Sequence, residues 1–254
     1  MSDANGARTG PKPNHFDTDV AEHYDTPGEG MFAPDKVDPA VDLLAGLAGE
    51  GRALEFAVGT GRIALPLAAR GVPVHGIDLS PAMVEQMRAK PGGGDIDVVI
   101  GDFATTRVPG EFSLVYLVFN TINNVTTQDE QVECFVNAAA HLGRGGRFVV
   151  EVGVPELRRL PKGQNMVPFH AGEEEWAFDL YEPATQLFSS NYVSVADGRG
   201  SLRSVPFRYV WPAELDLMAR IAGMRLVERW QDWDRTPFGD ESEKHVSVWE
   251  KVLD

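Results

Sequence analysis

Acidic residues recur at regular intervals along the first half of the chain, near the ends of segments with buried-strand character. Glu55 lies in the first segment, Asp78 ends the second 23 residues later, and Asp102 ends the third after a further 24 residues. Because the carboxyl ends of parallel strands meet at one edge of a sheet, this spacing predicts that the three carboxylates face one crevice. There, Asp78 can accept hydrogen bonds from both hydroxyls of a ribose, and Asp102 one from the exocyclic amine of a purine.

A glycine-containing turn, Gly59-Thr60-Gly61, joins the first strand segment to a helical segment. Glycine lets the backbone approach a ligand closely, and the N–H groups at the start of a helix point toward it. Each feature also has an ordinary alternative: a tight turn without a ligand, an Asp78 that caps a helix, and an Asp102 in a surface loop. Their combination favours the ligand-binding interpretation.

These motifs resemble those of the class I S-adenosylmethionine-dependent methyltransferases, most strongly over residues 50–155. The resemblance implies S-adenosylmethionine as the cofactor. It assigns the methionine part to Glu55, Gly59 and Gly61, the ribose to Asp78, the adenine to Asp102 and Phe103, and the sides of the adenosine to Leu79 and Met83. Phe103 is expected to supply a backbone N–H and an apolar wall. The family usually has glycine where this chain has Ala57. The methyl group of Ala57 narrows the access of a ligand to the backbone there, but the resemblance still assigns a cofactor contact to this position.

The end of the fourth strand segment is the expected position of the transferred methyl group, because this strand end lies beside it in the resembling family. Phe119 is expected to line the sulfonium and Asn120 to position the acceptor, although asparagines are also ordinary turn residues. Tyr24 is expected to cover the donor, since aromatic faces attract cations; plain helix packing is the alternative. His170 and His245 are both candidate general bases, and His245 completes the predicted catalytic set.

A dinucleotide site is the main rival, because residues 59–64 also fit the G-x-G-x-x-G/A fingerprint of NAD-binding proteins. The carboxylate of Glu55 would then lie close to a pyrophosphate, where it is unfavourable, whereas it suits the cationic sulfonium and ammonium of the methyl donor. The NAD interpretation also leaves Asp102 and Phe103 without a role. The methyltransferase is therefore preferred; an NAD-dependent oxidoreductase and a non-catalytic S-adenosylmethionine-binding subunit remain the alternatives.

Alternating strand and helix patterns predict an α/β fold with a Rossmann-like, doubly wound and mostly parallel sheet. The predicted strands are 53–58, 73–78, 97–102, 113–119 and 147–154, and the helices between them are 60–71, 80–90 and 126–143. Pro66 is expected to kink helix 60–71. Residues 178–211 predict strands joined by a turn at Asp197-Gly198. A helix at 212–224 and final strands around 225–233 and 245–252 follow, with antiparallel pairing expected in this part.

The domain prediction is a flexible tail at 1–14 and a single domain at 15–254. Within that domain we expect an N-terminal lid at 15–36, a cofactor-binding core at 37–155, and a substrate-covering segment with the final strands at 156–254. The C-terminal stretch from Trp230 to Trp249 resembles the bacterial small-molecule methyltransferases that tailor secondary metabolites and sugars. This resemblance implies methyl transfer to a nitrogen or oxygen atom of a small molecule, as in antibiotic biosynthesis.

Composition excludes several other classes of partner. The 254-residue chain has a formal net charge of −15, with 23 lysines and arginines against 38 acids, which disfavours nucleic acid and anionic membrane surfaces. The sequence has neither the run of about 18 apolar residues of a membrane span nor an apolar N-terminal signal segment, so we expect a cytoplasmic location. A single cysteine, Cys134, and the lack of a paired-histidine motif predict no metal site.

Overall fold

The structure is a computed structural model that describes residues 16–252, so the predicted tail at 1–14 lies outside the described residues. The helices are α1 Thr18–Glu22, α2 Pro34–Ala48, α3 Ala64–Ala69, α4 Pro81–Arg88, α5 Gln128–His141 and α6 Pro212–Ile221. The strands are β1 Ala53–Phe56, β2 Val74–Asp78, β3 Asp97–Ile100, β4 Phe112–Leu117, β5 Leu142–Gly153, β6 Met166–Ala171, β7 Glu175–Glu182, β8 Leu187–Ala196, β9 Arg199–Arg208, β10 Met224–Trp230 and β11 Lys244–Lys251.

The main sheet has seven strands in the order β10-β11-β5-β4-β1-β2-β3. Strands β1 to β5 pair in parallel, whereas β11 pairs antiparallel to β5 and β10 antiparallel to β11. This confirms the predicted Rossmann-like α/β fold. From β1 the chain builds outward through β2 and β3 on one side and through β4 and β5 on the other. The crevice at the carboxyl ends of β1 and β4 is therefore where a ligand is expected in such a sheet.

Apolar layers cover both faces of the main sheet, and β4 lies between them. Tyr116 contributes to the layer formed with α2 and α3, while Val115 and Leu117 contribute to the layer formed with α5 and α6. The continuous apolar run of β4 had predicted this double burial. Trp249 is fully buried and packs edge-on against Phe135. None of the helices between residues 16 and 252 combines the length and apolar composition that crossing a bilayer requires.

The helix after β1 is shorter than predicted. It begins at Ala64 rather than residue 60, because Gly59 and Gly61 have φ values of +56° and +80°, which a right-handed helix excludes. Pro66 then falls in the first turn, where its missing N–H has no intrahelical partner to lose. The expected kink at Pro66 was therefore wrong, since no helix precedes it to bend.

The predicted strands 53–58 and 113–119 also end early, at Phe56 and Leu117. The residues that follow have left-handed backbone conformations, with φ of +55° at Ala57, +58° at Phe119 and +60° at Asn120. L-amino acids adopt this region rarely because the Cβ crowds the carbonyl. The chain therefore leaves the sheet abruptly at the positions that the sequence assigned to the donor and to the reacting methyl group.

A second sheet of four antiparallel strands, in the order β6-β7-β8-β9, follows the parallel core. It confirms the predicted antiparallel segment, and its β8–β9 turn lies at Asp197-Gly198, where both φ values are positive as in a tight hairpin. Strand β6 was not predicted, because Pro168 and the irregular pairing between Pro168 and His170 disturb its alternation.

The second sheet rests on the segments that leave the main sheet. Tyr181, Phe188 and Tyr209 form a buried cluster with Leu157 and Leu160, which follow β5 directly. Strand β9 also contacts the 3-10 turn Thr121–Asn124, which follows β4. The base of the second sheet therefore lies beside the carboxyl ends of β4 and β5.

The left-handed Ala57 gives a stability prediction. We expect Ala57→Gly to leave the free energy of unfolding unchanged or raise it by up to about 1 kcal/mol, because the relief of backbone strain offsets the lost methyl contacts. The matched control Ala68→Gly, inside α3, should lower the same quantity by about 0.5–1 kcal/mol. Denaturant unfolding measures both values, and an Ala57→Gly protein as unstable as the control would contradict strain at this position.

Candidate active site

Glu55 is a buried carboxylate in β1, only 3% exposed. The hydroxyl of Tyr116, its neighbour across the β1–β4 pair, donates a hydrogen bond to Glu55 Oε2 at 3.0 Å. Burial raises the pKa of Glu55 to about 8, against the opposing effects of the Tyr116 hydrogen bond and the nearby Arg62 guanidinium. A buried group of this kind favours a cationic partner that stabilises its ionised form.

Asp78 connects the loop after β1 to the start of α4. Its Oδ2 accepts a hydrogen bond from the Gly59 N–H at 2.7 Å, and its Oδ1 accepts one from the Ser80 N–H at 2.8 Å. Burial raises the pKa of Asp78, and these two N–H groups oppose that rise. The carboxylate thus lies at the crevice with its position set by two backbone groups, as a ribose-binding acid requires.

The glycines of the loop differ in their surroundings. A Cβ on Gly61 would lie 2.6 Å from Met87 Cγ, so this glycine permits close packing of the loop on α4. A Cβ on Gly59 would lie 3.5 Å from its nearest neighbour, Met83 Cε, which is an ordinary van der Waals distance, so a side chain here is opposed by the φ of +56° rather than by crowding. Leu79 is exposed on the same rim. Met83 therefore borders the loop, and the predicted contacts of Leu79 and Met83 with the adenosine stay a prediction.

Asp102 is close to Asp78 along the rim. The N–H of Gly101 donates to the Asp78 carbonyl at 2.8 Å, which places the end of β3 beside the end of β2. The Oδ1 of Asp102 accepts a hydrogen bond from the Ala104 N–H at 2.9 Å, and the side chain is partly exposed. The predicted gathering of the acidic residues at one edge is therefore what the fold produces.

The ring of Phe103 does not line the crevice. It is 9% exposed and stacks on Phe56 with 5.8 Å between ring centroids, within the apolar layer below the sheet that includes α5. The Asn137 amide fixes this segment by donating to the Phe103 carbonyl at 2.6 Å. The expected apolar wall from this side chain was wrong, because the chain turns the ring into the core; only the predicted backbone contact remains.

Phe119 and Asn120 are both exposed at the carboxyl end of β4. The guanidinium of Arg62 lies over the Phe119 ring, 4.8 Å from its centroid. Arg62 also influences the pKa of Glu55 and that of Tyr24, so the ring faces the loop after β1. The end of β4 and the loop after β1 thus form two sides of one cleft.

His245 does not fit the role of a general base. Its side chain is fully buried in β11, and its Nδ1 lies 2.8 Å from Ser247 Oγ. Burial and the nearby Arg229 lower the pKa of His245 to about 3. A ring that is so weakly basic cannot accept a proton near neutral pH. We correct the sequence assignment for this reason.

Aromatic residues of the N-terminal segment pack on one another above the loop. Tyr24 lies edge-on to Phe16 and to Phe32, at centroid distances of 6.0 and 6.1 Å. Burial raises the pKa of the Tyr24 hydroxyl, and Asp25 and Asp78 add to the rise. Tyr24 is thus near Asp25 and Asp78, and its expected role in covering the donor stays a prediction.

Polar contacts tie the same segment to the loop. The Thr60 hydroxyl donates to Asp25 Oδ1 at 2.6 Å, and Lys90 pairs with Asp25 and donates to the Thr60 carbonyl at 2.6 Å. Arg62 donates to the Met31 carbonyl at 3.1 Å. Sequence reasoning missed Arg62, although a cation next to the glycine turn, in a site otherwise rich in acids, was the available signal.

Comparison with known proteins agrees with this site. A family model described as a methyltransferase domain matches residues 53–146. The CcbJ methyltransferase from Streptomyces caelestis is 36% identical, with a TM-score of 0.77 over 86% of this chain and 96% of that one. The CalS10 amino pentose methyltransferase from Micromonospora echinaspora, solved with S-adenosylmethionine bound, shares the fold at 20% identity, with a TM-score of 0.67 over 95% of this chain and 100% of that one.

A curated relative, the putative methyltransferase YqeM of Bacillus subtilis, is 31% identical over 112 residues, which are 43% of this chain and 45% of that protein. The chain thus spans about half the length of the curated relatives it matches. Together with the fold and the cleft, these similarities show that the chain belongs to the S-adenosylmethionine-dependent methyltransferases. The NAD-dependent alternative is set aside.

The cleft suits S-adenosylmethionine. Two buried carboxylates, Glu55 and Asp78, meet the needs of a ligand with cationic groups and a ribose. The half-buried Gly59 has no side chain, so a ligand can approach the backbone of this loop closely. The Arg62 guanidinium offers a partner for the carboxylate of the methionine part. The cationic, anionic and hydroxyl groups of one ligand thus meet matching groups in the cleft.

The ribose role of Asp78 is testable. We expect Asp78→Ala to weaken S-adenosylmethionine binding by about 1.5–3 kcal/mol, because a charge-assisted pair is lost and the Gly59 N–H loses its acceptor. Isothermal titration calorimetry measures the affinity. Asp95→Ala, which removes an exposed acid before β3, toward the opposite edge of the sheet, is the matched control. Equal affinities for the two variants would remove Asp78 from the ribose site.

The raised pKa of Glu55 predicts a pH-dependent stability. A carboxyl whose pKa rises from 4.5 to about 8 on folding stabilises the protein most below the lower value. Its contribution then falls as pH increases through this window, by at most about 1.4 kcal/mol per pH unit. The free energy of unfolding of Glu55→Gln should therefore rise relative to that of the wild type as the pH increases from 4.5 to about 8. The exposed-site control Glu50→Gln should show no such gain, and a parallel profile for Glu55→Gln would contradict the shift.

Proposed function

We propose that this enzyme transfers the methyl group of S-adenosylmethionine to a nitrogen or oxygen atom of a small molecule in secondary metabolism. The observation that carries the proposal is the aromatic face of the second sheet beside the ends of β4 and β5. On this face Phe188 stacks on Tyr181 at 5.3 Å and on Phe207 at 5.0 Å. A wall of stacked rings suits one face of a compact organic acceptor.

The residues of the cleft have distinct tasks in this proposal. S-adenosylmethionine supplies a methyl group bonded to a cationic sulfur. Glu55 holds the methionine part of the donor and Asp78 its ribose, and Phe119 lines the reacting side with an apolar ring that excludes water. Orientation of this kind can lower a barrier by up to about 7–11 kcal/mol.

The acceptor side is assigned to Asn120 and the second sheet. The Gly153 N–H donates to Asn120 Oδ1 at 2.6 Å, so the amide is fixed at the floor of the acceptor space. Because His245 is buried and weakly basic, the proposal uses no proton transfer through it. A neutral amine attacks with its lone pair and needs to lose its proton only after the transfer.

Residues 16–36 are proposed as the lid over the donor. Asp25 binds Thr60 and Lys90, and Arg62 binds the Met31 carbonyl, so two residues of the loop after β1, together with Lys90, hold this segment. Tyr24 then covers the cleft from above, where its ring favours a cation beneath it.

The acceptor class can be tested by conversion of S-adenosylmethionine to S-adenosylhomocysteine. We expect turnover with a panel of amino sugars and hydroxylated small molecules. The amino sugars come first because CalS10 and the sugar N-methyltransferase KedS8 of Streptoalloteichus share the fold. Donor binding without turnover on any member would favour a non-catalytic binding subunit and contradict the proposal.

The aromatic wall predicts that a substitution there changes the KM for the acceptor but not the affinity for the donor. Phe207→Ala should raise the KM for the acceptor identified above and leave the affinity for S-adenosylmethionine unchanged, because the ring lies on the wall and not in the donor cleft. Leu202→Ala, on the opposite face of the same sheet, is the matched control, since this side chain is 66% exposed. An equal KM in both variants would place the acceptor elsewhere.

A further inference from the structure

We propose that Glu151 is a positioning residue for methyl transfer, which holds the left-handed turn Phe119–Asn120 so that the Phe119 ring faces the sulfonium. The inference rests on the proposed role of Phe119 and is independent of the acceptor class. Glu151 lies in β5, next to β4 in the sheet, and is 6% exposed. The family resemblance had assigned it no role.

The turn needs support from outside itself. Phe119 and Asn120 have φ values of +58° and +60°, a conformation that residues with a side chain adopt only when their surroundings impose it. Neither of these two consecutive residues is glycine. Without supporting contacts, the backbone would adopt a more favourable conformation. The contacts that impose the left-handed conformation therefore decide where the Phe119 ring lies.

Those contacts come from β5. Glu151 Oε2 accepts a hydrogen bond from the Phe119 N–H at 3.0 Å, and the Glu151 carbonyl accepts one from the Asn120 N–H at 3.2 Å. Two residues further on, the Gly153 N–H donates to Asn120 Oδ1 at 2.6 Å. Both N–H groups of the turn are thus bound by a single residue, and its buried side chain supplies one of the two acceptors.

A cation fixes the Glu151 carboxylate in turn. Lys244 Nζ lies 3.7 Å from Glu151 Oε1 and 2.8 Å from Asp232 Oδ1, so the lysine joins the buried acid to an acid of the loop after β10. One carboxylate oxygen faces the lysine while the other faces the Phe119 N–H. This division orients the carboxylate toward the turn.

The consequence of this clamp is recognition of positive charge. The Arg62 guanidinium over the Phe119 ring shows that this ring face, directed at the loop after β1, accepts a cation. S-adenosylmethionine carries a sulfonium where its product S-adenosylhomocysteine carries a neutral thioether. A correctly placed ring therefore favours the donor over the product, whereas a displaced ring binds both alike.

The affinity ratio of the two ligands tests the proposal without an acceptor. Calorimetry on the full chain should show that Glu151→Ala lowers the preference for S-adenosylmethionine over S-adenosylhomocysteine by about two- to thirty-fold. The affinity for S-adenosylhomocysteine should stay unchanged. Glu151→Gln keeps an acceptor oxygen for the Phe119 N–H and should retain most of the preference. A folded Glu151→Ala protein that binds both ligands more weakly by the same factor would contradict the proposal.

Further variants separate the steps. Glu151→Asp keeps the charge beside Lys244 but is too short to reach the Phe119 N–H, so it should lose the preference even if Glu151→Ala does not fold. Glu151→Ala combined with Phe119→Ala should be no worse than Phe119→Ala alone. Asp216→Ala, which removes a carboxylate bound to Arg229 and Trp249, is the control and should keep the wild-type ratio.

The outcomes distinguish the two proposals. If Phe119→Ala lowers the preference and Glu151→Asp does not, the role of Glu151 is overturned while that of Phe119 stands. If Phe119→Ala keeps the wild-type preference, the proposed role of the ring and the inference built on it fail together.

Discussion

The donor cleft depends on the hydrogen bonds that converge on Asp78. Its side chain binds the N–H groups of Gly59 and Ser80, and its carbonyl binds the N–H of Gly101. One residue therefore joins the loop after β1, the first turn of α4 and the end of β3. Because a buried carboxylate is costly unless it is hydrogen-bonded, these backbone groups and the acid stabilise each other's positions. The relative placement of Glu55 and Asp102 follows from this junction.

Backbone strain is concentrated beside that junction. Ala57 follows β1 and Phe119 follows β4, and the two strands are neighbours in the sheet, so the left-handed turns lie side by side at the point where the strand order reverses. Such conformations persist only where surrounding contacts compensate for their cost. Here the compensation comes from packing at Ala57 and from the β5 carboxylate at Phe119. The chain thus leaves the sheet abruptly at two neighbouring positions beside one cleft.

The sequence was sufficient for the order of the strands and helices of the main sheet and for the edge at which the acids gather, because strand periodicity and the offsets between Glu55, Asp78 and Asp102 depend on local chain geometry. It was not sufficient for side-chain direction beyond the strand ends. Phe103 turns into the core two residues after Gly101. His245 lies in β11 and is buried where this strand pairs antiparallel with β5. Both outcomes depend on neighbours distant in sequence, which no local pattern contains.

The donor site can be inferred from the sequence in more detail than the acceptor site, because the two lie in different parts of the chain. The methyltransferase family model matches residues 53–146, which include the Asp78 junction and the end of β4, and it stops before the second sheet begins at Met166. That sheet contacts the core through its base, by Tyr209 and its neighbours on the segment after β5 and by β9 on the turn after β4. Side chains on its outer strands therefore can vary without disturbing the hydrogen bonds that hold the donor loop. The charged groups that a sulfonium donor requires thus lie in the parallel core. The shape of the wall against which an acceptor would lie is set by a different part of the chain, the second sheet.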